Sequence, residues 1–87
     1  MEYRYFGNTG LKVSVLGFGN MANDNKDIQE NIDIIKPVLD SGINYFDTAE
    51  FYNDGKAEEC FGLSLKKFDV QRDEIVISTK IYSGRGF

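Results

Sequence analysis

Three side chains in this chain of 87 residues could move a proton between them: the carboxylate of Asp47, the phenol of Tyr52 and the amine of Lys80. A tyrosine ordinarily titrates near ~10, too high to exchange protons readily at neutral pH. A nearby ammonium stabilises a phenolate, and a carboxylate can hold that ammonium in place. Such a trio would protonate a carbonyl oxygen while another group delivers hydride to the carbon. Each member also has a plainer reading. Asp47 could cap the turn that follows it, Tyr52 could be a half-buried loop aromatic, and Lys80 could be a solvated strand terminus. Spacing alone leaves both readings open.

A second pattern, Gly17-Phe18-Gly19-Asn20-Met21-Ala22, formally fits the G-x-G-x-x-G/A dinucleotide fingerprint. That motif requires a helix to begin at the glycines, so that its N-terminus meets a pyrophosphate. Here a polar stretch, Asn20 to Lys26, separates the glycines from the first periodic apolar position. The glycines read first as a tight strand-end turn; a segment close to a cofactor and a true dinucleotide loop stay open as alternatives.

The elements that must position these groups follow from periodicity. Tyr3 to Phe6 and Leu11 to Val15 flank the turn-rich Gly7-Asn8-Thr9-Gly10, which predicts a β-hairpin. The second run continues through Phe18-Gly19 as an expected buried strand. Ile28, Ile32, Ile35 and Leu39 recur at helical spacing, predicting a helix over 27–40 with one apolar face. Pro37 lies inside it and predicts a kink, or an end near Lys36. Gly42 to Asp47 reads as a strand, Phe51 to Gly55 as a loop, and 56–68 as a helix with Ala57, Cys60, Phe61, Ser64, Leu65 and Phe68 on one side. Glu74 to Lys80 reads as the clearest strand. Hairpin followed by β-α-β-α-β implies an α/β fold with parallel pairing and right-handed crossovers. In such sheets the loops at the C-terminal strand ends carry the site, and Gly19, Asp47 with Tyr52, and Lys80 all fall there. No internal linker, repeat or boundary breaks residues 1–87.

Composition narrows the function classes. Ten basic residues against fourteen acidic give a net charge of −4, which offers nothing to a nucleic-acid backbone or an anionic membrane. The absence of histidine and the single Cys60 argue against a zinc site of the usual ligand set and against an internal disulfide framework. The first residues carry neither the basic flank nor the apolar run of a signal peptide, and no apolar run approaches the ~20 residues of a membrane span. The expectation is a reducing, cytoplasmic location.

The segment Gly42-Ile43-Asn44-Tyr45-Phe46-Asp47-Thr48-Ala49-Glu50-Phe51-Tyr52, followed by Gly55-Lys56-Ala57-Glu58 and Gly62, resembles the signature of the aldo-keto reductases. The opening, from Tyr3-Arg4 to Leu16-Gly17-Phe18-Gly19, is similar to that family's hairpin and first strand, and Ile77-Ser78-Thr79-Lys80 to its third. Within the family, Asp-Thr-Ala-Glu with Gly-Lys-Ala-Glu and Thr79-Lys80-Ile81 look most like the β subunits of voltage-gated potassium channels and their reductase relatives. The resemblance implies the N-terminal part of a TIM (β/α)8 barrel, three of its eight strands. It also implies NADP(H)-dependent reduction of aldehydes and ketones. By position, Tyr52 resembles the general acid, Lys80 and Asp47 its tuning partners. Asp47 also lies where the family meets the nicotinamide ribose, and Gly19, Asn20 and Met21 occupy the segment near cofactor and substrate.

Asn20-Met21 stands where the family commonly has Thr-Trp, and Pro37 is unusual in the first barrel helix. A barrel of this kind takes roughly 250 residues. Val13, Val15, Phe18, Ile43, Tyr45, Ile75 and Ile77 are then expected to have two apolar neighbourhoods, one of which this chain alone leaves open. Three readings follow: the first part of a reductase, a channel-associated regulatory or redox-sensing subunit, or a shortened structural relative whose open face a partner covers in a larger assembly. On each, the 87 residues alone are expected to be inactive.

Overall fold

The computed structural model describes residues 1–20 and 27–81. Strands β1 (Tyr3–Tyr5) and β2 (Lys12–Ser14) form the hairpin, antiparallel with Tyr3 opposite Ser14 and Tyr5 opposite Lys12. The Thr9 hydroxyl donates to the Phe6 carbonyl at 2.6 Å and accepts from the Leu11 N–H at 3.1 Å, closing its loop.

The run expected to continue as one buried strand is in fact two. β2 stops at Ser14 and β3 is Phe18–Gly19, while Val15 and Leu16 between them are 47% and 60% exposed. The hairpin bonding runs one residue past β2, Val15 N–H donating to the Glu2 carbonyl at 2.9 Å, and side-chain bonds then hold the bend. Ser14 N–H donates to Asn44 Oδ1 at 2.7 Å, and the Ser14 hydroxyl donates to the Leu16 carbonyl at 2.6 Å.

Helices α1 (Ile28–Asp33) and α2 (Ile35–Asp40) divide the predicted 27–40 helix. Asp27 opens α1 with a capping box: its carboxylate accepts from Glu30 N–H at 2.8 Å, and the Glu30 carboxylate accepts in return from Asp27 N–H at 3.4 Å. Pro37 has no N–H for the carbonyl one turn back, at Asp33. The regular bonding lapses at Ile34, yet its backbone stays helical (φ −59°, ψ −31°) and the helix resumes to Asp40. Of the two outcomes expected at Pro37, the early end at Lys36 does not occur.

Strand β4 (Tyr45–Asp47), helix α3 (Lys56–Lys67) and strand β5 (Val76–Ser78) complete the described fold. The sheet order is β3-β4-β5, all parallel, with Phe18 and Ile77 flanking Phe46, and Gly19 and Ser78 flanking Asp47. Glu74, expected in the last strand, instead ends a short helical turn, Arg72–Glu74, in which its side chain accepts from Gln71 N–H at 3.1 Å.

Strand alternation sends neighbouring side chains to opposite faces. Phe46, fully buried, meets Phe61 of α3 at 4.9 Å between ring centroids and Phe18 at 6.3 Å, with Ile35 and Ile75 completing the core. Ile28, expected on the apolar face, is 52% exposed. It opens α1 at the lip of a cavity shared with Asn31, Lys56 and Cys60 rather than over the sheet. The face of Tyr45 and Asp47 lies opposite the helices. Phe6 of the hairpin meets Tyr45 with tilted rings 5.9 Å apart, Asn44 donates to the Lys12 carbonyl at 2.9 Å, and the Tyr3 hydroxyl donates to the Gly42 carbonyl at 2.5 Å. The hairpin is therefore tied to the start of β4, leaving the C-terminal strand ends open. Among the described residues no helix is long and apolar enough to cross a membrane.

Candidate active site

Parallel pairing brings the last residues of β3, β4 and β5 to one edge, and the ladder runs on past the strands. Asn20 N–H donates to the Asp47 carbonyl at 2.7 Å, Thr48 N–H to Ser78 at 2.8 Å and Glu50 N–H to Lys80 at 3.1 Å. This register places Lys80 beside Asp47. The Lys80 ammonium lies 3.0 and 3.1 Å from the two Asp47 carboxylate oxygens and 2.7 Å from the Thr48 carbonyl. Its three donors thus have three acceptors in range.

Tyr52 arrives by a different route. After β4 the chain makes a tight turn, Tyr52–Gly55, in which Asn53 (φ 49°), Asp54 (φ 54°) and Gly55 (φ 90°) are all left-handed. Asn and Asp tolerate that region better than other side chains, and glycine enters it freely. Asn-Asp-Gly is thus the local chemistry that turns the chain into α3, with Tyr52 half-buried at its start. Lys80 Nζ lies 5.1 Å from the centroid of the Tyr52 ring, within cation–π range. Asp47 raises the Lys80 pKa above the ordinary lysine value; partial desolvation opposes this, and Tyr52 adds to the rise. The ammonium is therefore held charged against the phenol. Both ion-pair partners keep more than two-fifths of their side-chain surface exposed, so the pair faces any ligand entering from the open strand ends.

The cofactor segment divides. Gly19 is exposed, and among the described residues nothing lies within 4 Å of where a Cβ would sit. Asn20 is 6% exposed and donates its side-chain amide to the Ala57 carbonyl at 3.1 Å, binding the end of β3 to the first turn of α3. Met21 lies outside the described residues. Two residues to which the sequence assigned no role also shape the site. The buried Thr48 donates its hydroxyl to the Asn20 carbonyl at 3.0 Å, and Thr79, next to Lys80, donates to the Glu58 carboxylate of α3 at 2.6 Å. Their signal in the sequence was adjacency to Asp47 and Lys80, which does not reveal a partner.

Comparison with known proteins bears on the family and the fold. The model of the aldo/keto reductase family matches residues 15–86. A probable voltage-gated potassium channel subunit beta from Arabidopsis thaliana is 42% identical over 97% of this chain and 26% of its own length. Versiconal hemiacetal acetate reductase from Aspergillus parasiticus is 38% identical, with the same two coverages. Among solved structures, an aldo-keto reductase from Bacillus halodurans in its holo form superposes with a TM-score of 0.79 at 37% identity, covering 99% of this chain and 29% of that one. The chain thus spans about a quarter of the length of the curated relatives it matches.

Proposed function

The chain belongs to the aldo/keto reductase family, and from that premise we propose that it carries the proton-donating part of an NADP(H)-dependent carbonyl reductase site, within a larger (β/α)8 barrel. The observation that carries the reading is the Lys80 ammonium, shared between the Asp47 carboxylate and the face of Tyr52 at the open strand ends.

In this reading the Tyr52 hydroxyl gives its proton to the carbonyl oxygen of an aldehyde or ketone, which becomes the alcohol. The phenolate left behind is stabilised by Lys80, whose charge Asp47 and the Thr48 carbonyl hold in place. Bound NADP(H) would supply hydride to the carbonyl carbon. The residues present fit the nicotinamide end of such a cofactor. Asp47 is half-exposed and can accept from a ribose hydroxyl, and no described residue crowds Gly19. Asn20 and Met21 continue that segment; since the Asn20 amide is already given to Ala57, Asn20 would act through the placement of its backbone.

Rapid purification of the complete gene product and a screen of aldehydes and ketones against NADPH absorbance test this function. Carbonyl-dependent oxidation of NADPH is expected; its absence across the panel, with NADPH bound, would overturn the reading. A second reading, association with a potassium channel as a regulatory or redox-sensing subunit in the cytoplasm, is supported by the name of the Arabidopsis thaliana relative at 42% identity. It predicts recovery of channel subunits with the native protein, and their absence would count against it.

A further inference from the structure

We infer that Thr48 is a positioning residue for Lys80, acting through a buried hydroxyl braced on Asn20. The inference rests on the proton-donor reading of Tyr52 and Lys80, and adds a residue that touches neither substrate nor cofactor.

Thr48 is 2% exposed and sits at the crossing of three tethers. Its N–H donates to the Ser78 carbonyl at 2.8 Å. Its hydroxyl donates to the Asn20 carbonyl at 3.0 Å, and its own carbonyl accepts from Lys80 Nζ at 2.7 Å. That last contact is the shortest Lys80 makes, shorter than either bond to Asp47.

Lys80 reaches the site on a flexible four-carbon stem, so the direction of its ammonium depends on its acceptors. Asp47 offers two equivalent oxygens and leaves the ammonium free to slide between them. The Thr48 carbonyl adds a third point, whose orientation follows the plane of the 48–49 peptide. The N–H bond to Ser78 fixes only one side of Thr48. The hydroxyl bond fixes the other, because Asn20 is itself held by its N–H on Asp47 and its amide on Ala57. Removing the hydroxyl frees the Thr48 carbonyl to tilt and leaves the Asn20 carbonyl without that donor in a buried place. The ammonium then loses register with the Tyr52 ring.

The test compares Thr48→Val, which keeps the volume and removes the hydroxyl, with Thr48→Ser, which keeps the hydroxyl, and Thr48→Ala, which loses both. Each is made in the complete gene product and assayed with a carbonyl substrate the wild type reduces. The geometry predicts kcat lower by roughly tenfold in Thr48→Val with KM within about twofold, since misplaced catalytic groups lose rate rather than binding. Thr48→Ser should recover kcat to near wild type, and Thr48→Ala should fall with Thr48→Val. Should Thr48→Val fail to fold, the Ser and Ala variants, which share the same lost methyl, still decide. Equal kcat in Ser and Ala, or an unchanged kcat in a folded Thr48→Val, would overturn the inference. Tyr52→Phe is measured alongside. If it retains full activity, the parent reading fails; if it is inactive while Thr48→Val is not, only the role of Thr48 fails.

Discussion

Phe46→Ala probes the packing that carries the site. Phe46 has no exposed surface, lies at the middle of the middle strand and meets Phe61 at 4.9 Å and Phe18 at 6.3 Å. It stands between Tyr45 and Asp47, so the strand that presents Asp47 to Lys80 is anchored to the helices by this ring. Truncating a buried phenylalanine removes its transfer free energy and leaves a cavity, at a cost of about 3–5 kcal/mol. The close ring pair with Phe61 puts the expected value in the upper half of that range. Leu63→Ala, on the exposed side of the same helix layer at 40% exposure, should change stability by about 0.5 kcal/mol or less. Urea unfolding followed by far-UV circular dichroism measures both, provided the denaturant slope is unchanged between variants. A cost for Phe46→Ala below about 1 kcal/mol, or equal to that of Leu63→Ala, would refute the reasoning, because a sheet-to-helix core centred on Phe46 cannot lose that ring so cheaply.

Two further perturbations test separate parts of the account. Lys80 has its pKa raised in the fold by Asp47, so its contribution to stability is complete below the ordinary lysine value of 10.5 and is lost as pH rises through the raised value. Lys80→Met should flatten the fall in urea midpoint on that alkaline side, and an identical fall in both proteins would contradict the ion pair. Gly42 has φ +92°, and a Cβ there would meet the Tyr3 hydroxyl oxygen at 2.9 Å and the Met1 Cβ at 3.1 Å. Gly42→Ala should therefore destabilise by more than ~1 kcal/mol and loosen the hairpin from β4; a rise in melting temperature would refute that contact.

The order of elements was legible because each rests on local pattern. The spacing of Ile32, Ile35 and Leu39 marks the helical stretch of α1 and α2, the spacing of Ala57, Cys60, Phe61 and Ser64 marks the buried side of α3, and the β-branched run around Ile77 marks β5. What local pattern could not show is where side chains distant in sequence end or bend a strand. Val15 and Leu16 look like strand residues, yet Asn44, thirty positions away, captures Ser14 and bends the chain there. Glu74 is likewise drawn into a turn by Gln71. At Pro37 the missing donor was legible, but the survival of the helix beyond it depends on the packing of Ile35 in the core. The candidate site divides in the same way. Asp47, Tyr52 and Lys80 stood out by residue type; the register of the sheet brings Asp47 and Lys80 together, and the turn through Asn53, Asp54 and Gly55 sets Tyr52 beside them. Thr48, Thr79 and the buried turn of Asn20 toward Ala57 act through contacts 21 to 37 positions apart in sequence, which residue type alone does not announce.

The central claim is that Tyr52 donates the proton to a carbonyl substrate, and single-turnover reduction by Tyr52→Phe tests it most directly. The complete gene product and its variant are loaded with NADPH, whose affinity is read by fluorescence titration, and are then mixed with an aldehyde. The account predicts a loss of about 10²–10⁴ in the rate of NADPH oxidation, with cofactor affinity within about twofold because no role in binding is assigned to the hydroxyl. A variant that oxidises NADPH at the wild-type rate would contradict the account.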